Sequence, residues 1–487
     1  MLLHQIDTSS APPHPPGEWR ALVEARIRSG QRVLTLFGRP LDHDVLVTAV
    51  LQHDQHIEVV RARVDRTHGY HALTPEFPGL HCFERELHEQ HGVRIGGHPW
   101  LKPIRFEGGN AAARDAYPFY KIDGKEVHEV AVGPVHAGGI EPGSFRFMCH
   151  GEQVHHLEIH LGYQHRGVER LLLRGDPRRH APLVETIAGD SSVAHGWAYC
   201  AAIEALTGVS LAPEADAARA VLLELERIAM HLSGLAGMAA DVGHLQGGST
   251  YGRLRTTAIN TSMGLCGSRF GRGAMRPGGL GARLGVDGAM TLEALRRNLA
   301  LLRSDTAVID DCLLQSRTVQ HRLVGVGQIT RERAAELGLV GPAARASGVE
   351  IDARSLAGGV YADIPVQVVV EPGGDCWART RIRVEEIRRS LAFIDAAIER
   401  WPSWAAGRRA LERPAPDRLV VAVVEGWRGE VVHCLETDGG GDLVHYKVQD
   451  PSLRNWLGLA IAVRENEISD FPICNKSFDL SYCGNDL

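Results

Sequence analysis

Apolar residues along this chain follow two periods in turn. Near the start, Arg32-Val-Leu-Thr-Leu-Phe37, Asp44-Val-Leu-Val-Thr-Ala-Val50 and Ile57-Glu-Val-Val-Arg-Ala-Arg-Val64 are β-branched runs of strand length, separated by turns containing Gly, Pro or Asp. They predict a small sheet with helices against it. Further on the period lengthens. After Pro213, a residue suited to a first helical turn, Leu222, Leu225, Ile228, Ala229, Leu232, Leu235 and Ala236 share one helical face. Leu292, Leu295, Leu299 and Leu302 repeat the spacing, as do Val384, Ile387, Leu391 and Ile394. Stripes of this kind predict helices packed into a core. Residues 1–17, with Pro12, Pro13, Pro15 and Pro16, read as a flexible tail, because proline removes backbone donors and no apolar period is present. The polar run Glu107-Gly-Gly-Asn-Ala-Ala-Ala-Arg-Asp115 reads as a linker. The expected organisation is a tail (1–17), a small α/β domain (18–106), a linker (107–128) and a large, mainly helical domain (129–487). The fold class is α+β.

A chain of 487 residues is too long for one ordinary core, and at roughly 150 residues per domain it implies two to four. With 44% hydrophobic and 23% charged residues and a net charge of -6, the chain has no basic excess to attract a nucleic acid. Nine cysteines form no C-x-x-C pair, so no local zinc or four-cysteine iron–sulfur motif can be drawn. They read as small buried hydrophobes of a reduced compartment. The first residues lack a basic start followed by a long apolar stretch, and nowhere do 18 apolar residues run together. The expectation is a cytoplasmic protein whose membrane association comes through partners. No G-x-G-x-x-G segment follows a strand, so nicotinamide binding is assigned to another subunit.

Motifs sharpen this picture. Glu84-Arg-Glu-Leu-His-Glu-Gln-His-Gly-Val-Arg-Ile-Gly-Gly-His-Pro-Trp-Leu-Lys102 resembles the signature of the C-type subunit of respiratory complex I, with Glu89 in place of its aspartate and His91 in place of its phenylalanine. In that family the segment is an inter-subunit docking surface. Over nearly all of 130–487 the chain resembles the D-type subunit of complex I and the related energy-converting hydrogenases. The blocks that carry the likeness are Gly133-Pro-Val-His136 with Glu141-Pro-Gly143, His160 to Glu169, Arg276-Pro-Gly-Gly279, Arg345-Ala-Ser-Gly348 with Asp352 and Arg354, Gly374-Asp-Cys376, and Glu425-Gly-Trp-Arg-Gly-Glu430. Glu425, Arg428 and Glu430 also read as a surface ion-pair cluster worth little in energy. His156 and His160 stand four apart, a metal-ligand spacing on a helix, but Gln153–Leu161 reads as a strand entering a glycine turn.

Glu185 to Tyr199 resembles the R-x-C-G-x-C segment of nickel-iron hydrogenase large subunits and the helix after it, and Asn475 to Gly484 resembles the D-P-C-x-x-C segment. The cysteine positions fall on Ala188, Ser191, Ser481 and Gly484, with Cys483 one place out of register. A methyl group, neutral hydroxyls and a bare glycine cannot replace soft thiolates, so no nickel-iron centre and no hydrogen chemistry are expected. In complex I the equivalent cavity receives a quinone headgroup, and its tyrosine position becomes Gly189 here. The resemblance assigns the acceptor cavity to Gly189, Asp190, Ser191 and His195. Proton-linked or catalytic roles fall on Glu141, Asp241 and His136. Asp241 has two readings: a carboxylate raised in pKa by burial in an apolar helix, or a helix-end carboxylate paired to an arginine. The family reading implies no cofactor bound directly, a quinone as one acceptor, and an iron–sulfur cluster in a small partner subunit. Antiporter-like and quinone-site membrane subunits would complete the complex. The alternative is a non-catalytic scaffold.

Overall fold

The computed structural model describes residues 1–107, 116–136, 140–281, 284, 290–404 and 407–487. Most of the polar run read as a linker, residues 108–115, lies outside them. The first layer is the expected small sheet. Strands β1 (Leu2–Asp7) and β2 (Pro13–His14) precede helix α1 (Pro16–Arg28), strands β3 (Arg32–Leu41), β4 (Asp44–His53) and β5 (His56–Asp65), and helix α2 (His81–His91). β3, β4 and β5 form an antiparallel meander in the sheet order β2-β5-β4-β3. α1 closes one face: Trp19 and Val23 are fully buried, and the Trp19 indole N–H donates to the Val60 carbonyl at 3.1 Å.

The second part opens with a three-stranded sheet, β6 (Val127–Val132), β7 (Ser144–His150) and β8 (Gln153–His160), in the order β8-β7-β6. The helices follow: α3 (Ser192–Leu206), α4 (Pro213–Asp241), α5 (Leu245–Cys266), α6 (Leu292–Gln315) and α7 (Cys376–Arg400). Strands β9 (Arg418–Gly426), β10 (Gly429–Thr437) and β11 (Leu443–Gln449) and helices α8 (Pro451–Ala462), α9 (Phe471–Phe478) and α10 (Tyr482–Asp486) complete the chain. α4 carries the apolar stripe read from sequence and is buried along almost its whole length.

Residues 1–17 are not the flexible tail that the sequence reading expects. β1 pairs antiparallel with β9, Leu2 opposite Val423 and Asp7 opposite Arg418, to give a sheet ordered β1-β9-β10-β11. Pro13 and His14 pair parallel to Arg61 and Ala62. The prolines restrict only the short connector. Pairing is fixed by a partner strand from the far end of the chain, which local periodicity does not reveal.

The C-type signature also turns inward. Glu84 is fully buried and accepts from the Leu73 and Thr74 amides at 2.9 and 3.0 Å. Arg85 donates to the Lys102 and Pro103 carbonyls, and Glu86 pairs with Arg105 and with Lys447 of β11. Part of this docking surface is therefore covered by the chain's own second part. Glu425, Arg428 and Glu430 are likewise not a surface cluster, being 2%, 6% and 2% exposed. Glu425 accepts from Arg345 at 2.7 Å, Glu430 from Arg32 of β3 at 2.7 Å, and Arg428 donates to Asp190. A pair cut off from water interacts far more strongly than an exposed one, and losing either partner strands a buried charge.

Candidate functional site

The loop before α3 and the turn before α10 bring the four former cysteine positions towards one another. Ala188 and Ser191 are buried. The Ser191 hydroxyl lies 3.4 Å from Nη1 of Arg428 and accepts from it. Ser481 is the N-cap of α10: its hydroxyl accepts from the Gly484 N–H at 2.9 Å, and its own N–H donates to Oγ of Ser452 at 2.9 Å. A Cβ at Gly484 would stand 2.6 Å from Oδ2 of Asp450, so that carboxylate takes the room a side chain there would need. The donor set does not fit a nickel-iron centre. One position is a methyl group, two are hydroxyls already bonded to a guanidinium and a backbone amide, and the last has no side chain. Among the described residues no group of three or more His, Cys, Asp or Glu is arranged to hold a metal ion.

A guanidinium occupies part of the space instead. Arg428 donates to both oxygens of Asp190 at 2.7 and 2.8 Å and to the Asp479 carbonyl at 2.5 Å, and its head lies 3.8 Å from the centre of the Trp427 ring. Burial alone would weaken its charge, but the Asp190 carboxylate outweighs that and raises its pKa. The Trp427 indole N–H donates to the Asp190 carbonyl at 2.9 Å, which fixes the loop. Glu226 on α4 accepts from the Val193 and Ala194 amides at the start of α3, at 2.7 and 3.3 Å. Burial pushes its carboxyl up to about 8, against the pull of those amides.

Of the residues singled out from sequence, the structure gathers Asp190, Ser191, His195, Ser481 and Gly484 into this network. Glu141 is half-buried at its edge, where its Oε2 accepts from the Tyr482 N–H at 3.3 Å. Cys483, beside it, has its thiol pushed up to about 11 by burial and by Glu141. His136 turns back on its own loop, Nε2 lying 2.8 Å from the Gly143 carbonyl. At Gly189 a Cβ would stand 3.2 Å from Nη2 of the exposed Arg272, so no phenol fills the former tyrosine position.

Asp241 overturns the buried reading. It is the last residue of α4, faces solvent, and pairs with Lys476 of α9 at 2.5 Å. The apolar stripe ends before it, and Val242-Gly243 stops the helix with Gly243 at φ +76. It is a helix-end carboxylate whose partner is a lysine rather than an arginine.

Sequence reasoning missed Asp450, His433 and Tyr446. Asp450 is the N-cap of α8, accepting from the Ser452 N–H at 2.8 Å. Its Oδ2 lies 3.1 Å from Nε2 of His195, whose Nδ1 lies 3.1 Å from Nε2 of His433. His433 in turn meets the Tyr446 hydroxyl at 2.8 Å through Nδ1. One local signal existed: His433 interrupts the apolar run Val431-Val432-His433-Cys434-Leu435, and a histidine kept inside a buried strand needs partners.

Comparison with known proteins agrees with this architecture. The profile of the respiratory-chain NADH dehydrogenase 30 Kd subunit matches residues 34–120, and that of the 49 Kd subunit matches residues 241–416. Formate hydrogenlyase subunit 5 of Escherichia coli strain K12 is 28% identical over 491 aligned positions, covering 94% of this chain and 85% of that protein. The fused C/D polypeptide of the NADH-quinone oxidoreductase of Phocaeicola vulgatus is 26% identical, covering 75% of this chain and 78% of that protein. Among solved structures, a chain of an archaeal membrane-bound sulfane sulfur reductase superposes with a TM-score of 0.68 at 23% identity, over 76% of this chain and all of that one. At that identity the likeness speaks for the fold. With both profiles matched in order on one polypeptide, the chain is a fused member of the complex I 30 Kd and 49 Kd subunit families, a subunit of a complex I-like or hydrogenase-related membrane complex.

Proposed function

We propose that this chain is the core peripheral-arm subunit of such a complex and that an acceptor is reduced in the former metal cavity. Electrons come from an iron–sulfur cluster in a small partner subunit, and the acceptor is a quinone or a molecule handled like one. Antiporter-like and quinone-site membrane subunits couple the reduction to ion movement and hold the chain on the inner face of the cell membrane. No nickel-iron centre takes part.

The observation that carries this reading is the chemistry of the vacated positions. A site abandoned by selection is most easily filled with apolar side chains, because each unsatisfied buried polar group costs about 1–3 kcal/mol. Here Asp190, Arg428, Asp450 and His195 converge on it and Glu141 stands at its rim. Asp241, tied to Lys476 at the surface, drops out of the proton-linked set, and Glu141 remains. The relatives, by name a formate hydrogenlyase and a quinone oxidoreductase, point the same way.

The Arg428–Asp190 pair also favours a second reading, in which it plugs the cavity and the chain is a scaffold. Purifying the complex from native membranes, identifying its subunits and following quinone-dependent reoxidation of the partner cluster separates the two. Recovery of an iron–sulfur subunit and reoxidation support the first reading. An intact complex with no reoxidation supports the scaffold.

A further inference from the structure

Asp450, His195, His433 and Tyr446 form one continuous run from the floor beneath Gly484 into the interior, and electron transfer by itself does not require it. The links measure 3.1, 3.1 and 2.8 Å. The four side chains come from the N-cap of α8, from α3, from β10 and from β11, and none is more than 2% exposed.

Two complete hydrogen-bonding patterns satisfy the run. In the first, the Tyr446 hydroxyl donates to Nδ1 of His433, Nε2–H of His433 donates to Nδ1 of His195, and Nε2–H of His195 donates to Asp450. In the second, His195 carries a proton on each nitrogen and donates to both His433 and Asp450, while Nδ1–H of His433 donates to the Tyr446 oxygen. The second pattern holds one proton more than the first, and neither leaves a ring nitrogen without a partner. A buried structural histidine needs only one pattern; this run accommodates both.

The surroundings suit a mobile proton. Burial and the neighbouring His195 hold the His433 imidazole well below its ordinary pKa, which keeps it neutral with one donor and one acceptor nitrogen. Burial opposes the charge on Asp450, but the His195 hydrogen bond, the charges of His195 and Arg428, and Ser452 together hold it below the usual carboxylate range. Glu226 of α4 faces the first amides of α3, and Tyr199, Cys200 and Cys434 surround Tyr446.

We propose that these four residues are a proton store and relay for the acceptor cavity, with Asp450 as the group that hands the proton over. As the acceptor gains an electron from the partner cluster, His195 passes Nε2–H to Asp450, and Asp450 passes a proton to the reduced acceptor and returns to carboxylate. The deficit on His195 is made good from water between turnovers. His433 and Tyr446 are positioning residues that fix which nitrogen of His195 is free.

The inference rests on the reading that an acceptor is reduced in this cavity, and the test separates the two. In the intact membrane complex, the partner cluster is photoreduced and its reoxidation by menadione is followed in H2O and D2O. Wild type is expected to reoxidise with a normal solvent isotope effect. Asp450→Asn, which keeps an N-cap oxygen, is expected to slow the step about 100-fold, the lower range for losing a placed proton donor. Tyr446→Phe, which keeps the ring, is expected to alter the isotope effect while thermal unfolding stays close to wild type. Wild-type isotope effects and rates in both variants overturn the relay and leave the acceptor reading standing. Wild type that does not reoxidise overturns the acceptor reading and the relay with it.

Discussion

A guanidinium where thiolates would stand changes what a single substitution does. Arg428 is buried and meets both oxygens of Asp190, whose side chain is 36% exposed. Breaking a fully buried pair costs about 3–5 kcal/mol, and partial hydration of Asp190 lowers that. Arg428→Ala is therefore expected to lose about 2–3 kcal/mol of stability by chemical denaturation, and an unchanged midpoint would contradict the ion-pair account. Glu226 gives a test of sign. Its folded-state carboxyl sits up at about 8, above its unfolded value near ~4.3. Below both values the two states are equally protonated. As pH rises between them the unfolded chain releases a proton that the folded chain retains, so stability falls through that window. Glu226→Gln keeps an oxygen for the Val193 and Ala194 amides and removes the titration. Denaturation at pH 5 and pH 8 should show the variant gaining on wild type at the higher pH; a constant difference would mean the carboxyl is ionised throughout.

At the scale of elements, the long helices were legible and the sheet edges were not. The stripe from Leu222 to Ala236 is set by residues three and four apart, so α4 could be read directly, and its interior is buried as the stripe requires. Asp241 was misplaced by a few residues only, but the helix end is where a carboxylate passes from burial to water. Ser191 and Gly484 were located through motifs rather than periodicity. Asp450, His433 and Tyr446 could not be, because their meeting depends on strands and a helix cap whose spacing in sequence carries no period. β1 is the clearest omission. Leu2 packs with Leu34, Phe37, Val421 and Val423, and β1 covers the edge of β9. Deleting residues 2–7 is expected to expose that edge and the apolar run Leu419–Val424, raising self-association through unpaired backbone groups. Light scattering after mild heating checks this; a deletion variant that stays as monodisperse as wild type would show that β1 is dispensable.

For the whole molecule, the sheet β1-β9-β10-β11 joins the two parts because its faces serve different ends. Successive side chains of a strand point to opposite faces. Along β10, Val432 and Cys434 pack with Leu34, Phe37, Val50 and Ile57 of the first part. Val431, His433 and Leu435 lie on the other face, where Val431 and Leu435 join the main helical core and His433 meets His195 of α3. Buried ion pairs reinforce the junction, Glu86 with Lys447 at 2.6 Å and Arg32 with Glu430 at 2.7 Å, and Phe37 stacks on His445 at 4.8 Å. A layer shared in this way cannot lose one neighbour without loosening the other. The first part should therefore not unfold as an independent domain. Hydrogen exchange should protect β3–β5 and β9–β11 with the same opening free energy. Phe37→Ala, remote from the acceptor cavity, should lower both together by about 3–5 kcal/mol, the range for truncating a buried phenylalanine. If exchange rises in β3–β5 alone while β10 and β11 keep wild-type protection, the shared layer does not couple them, and His433 owes its place to the helical core without support from the first part.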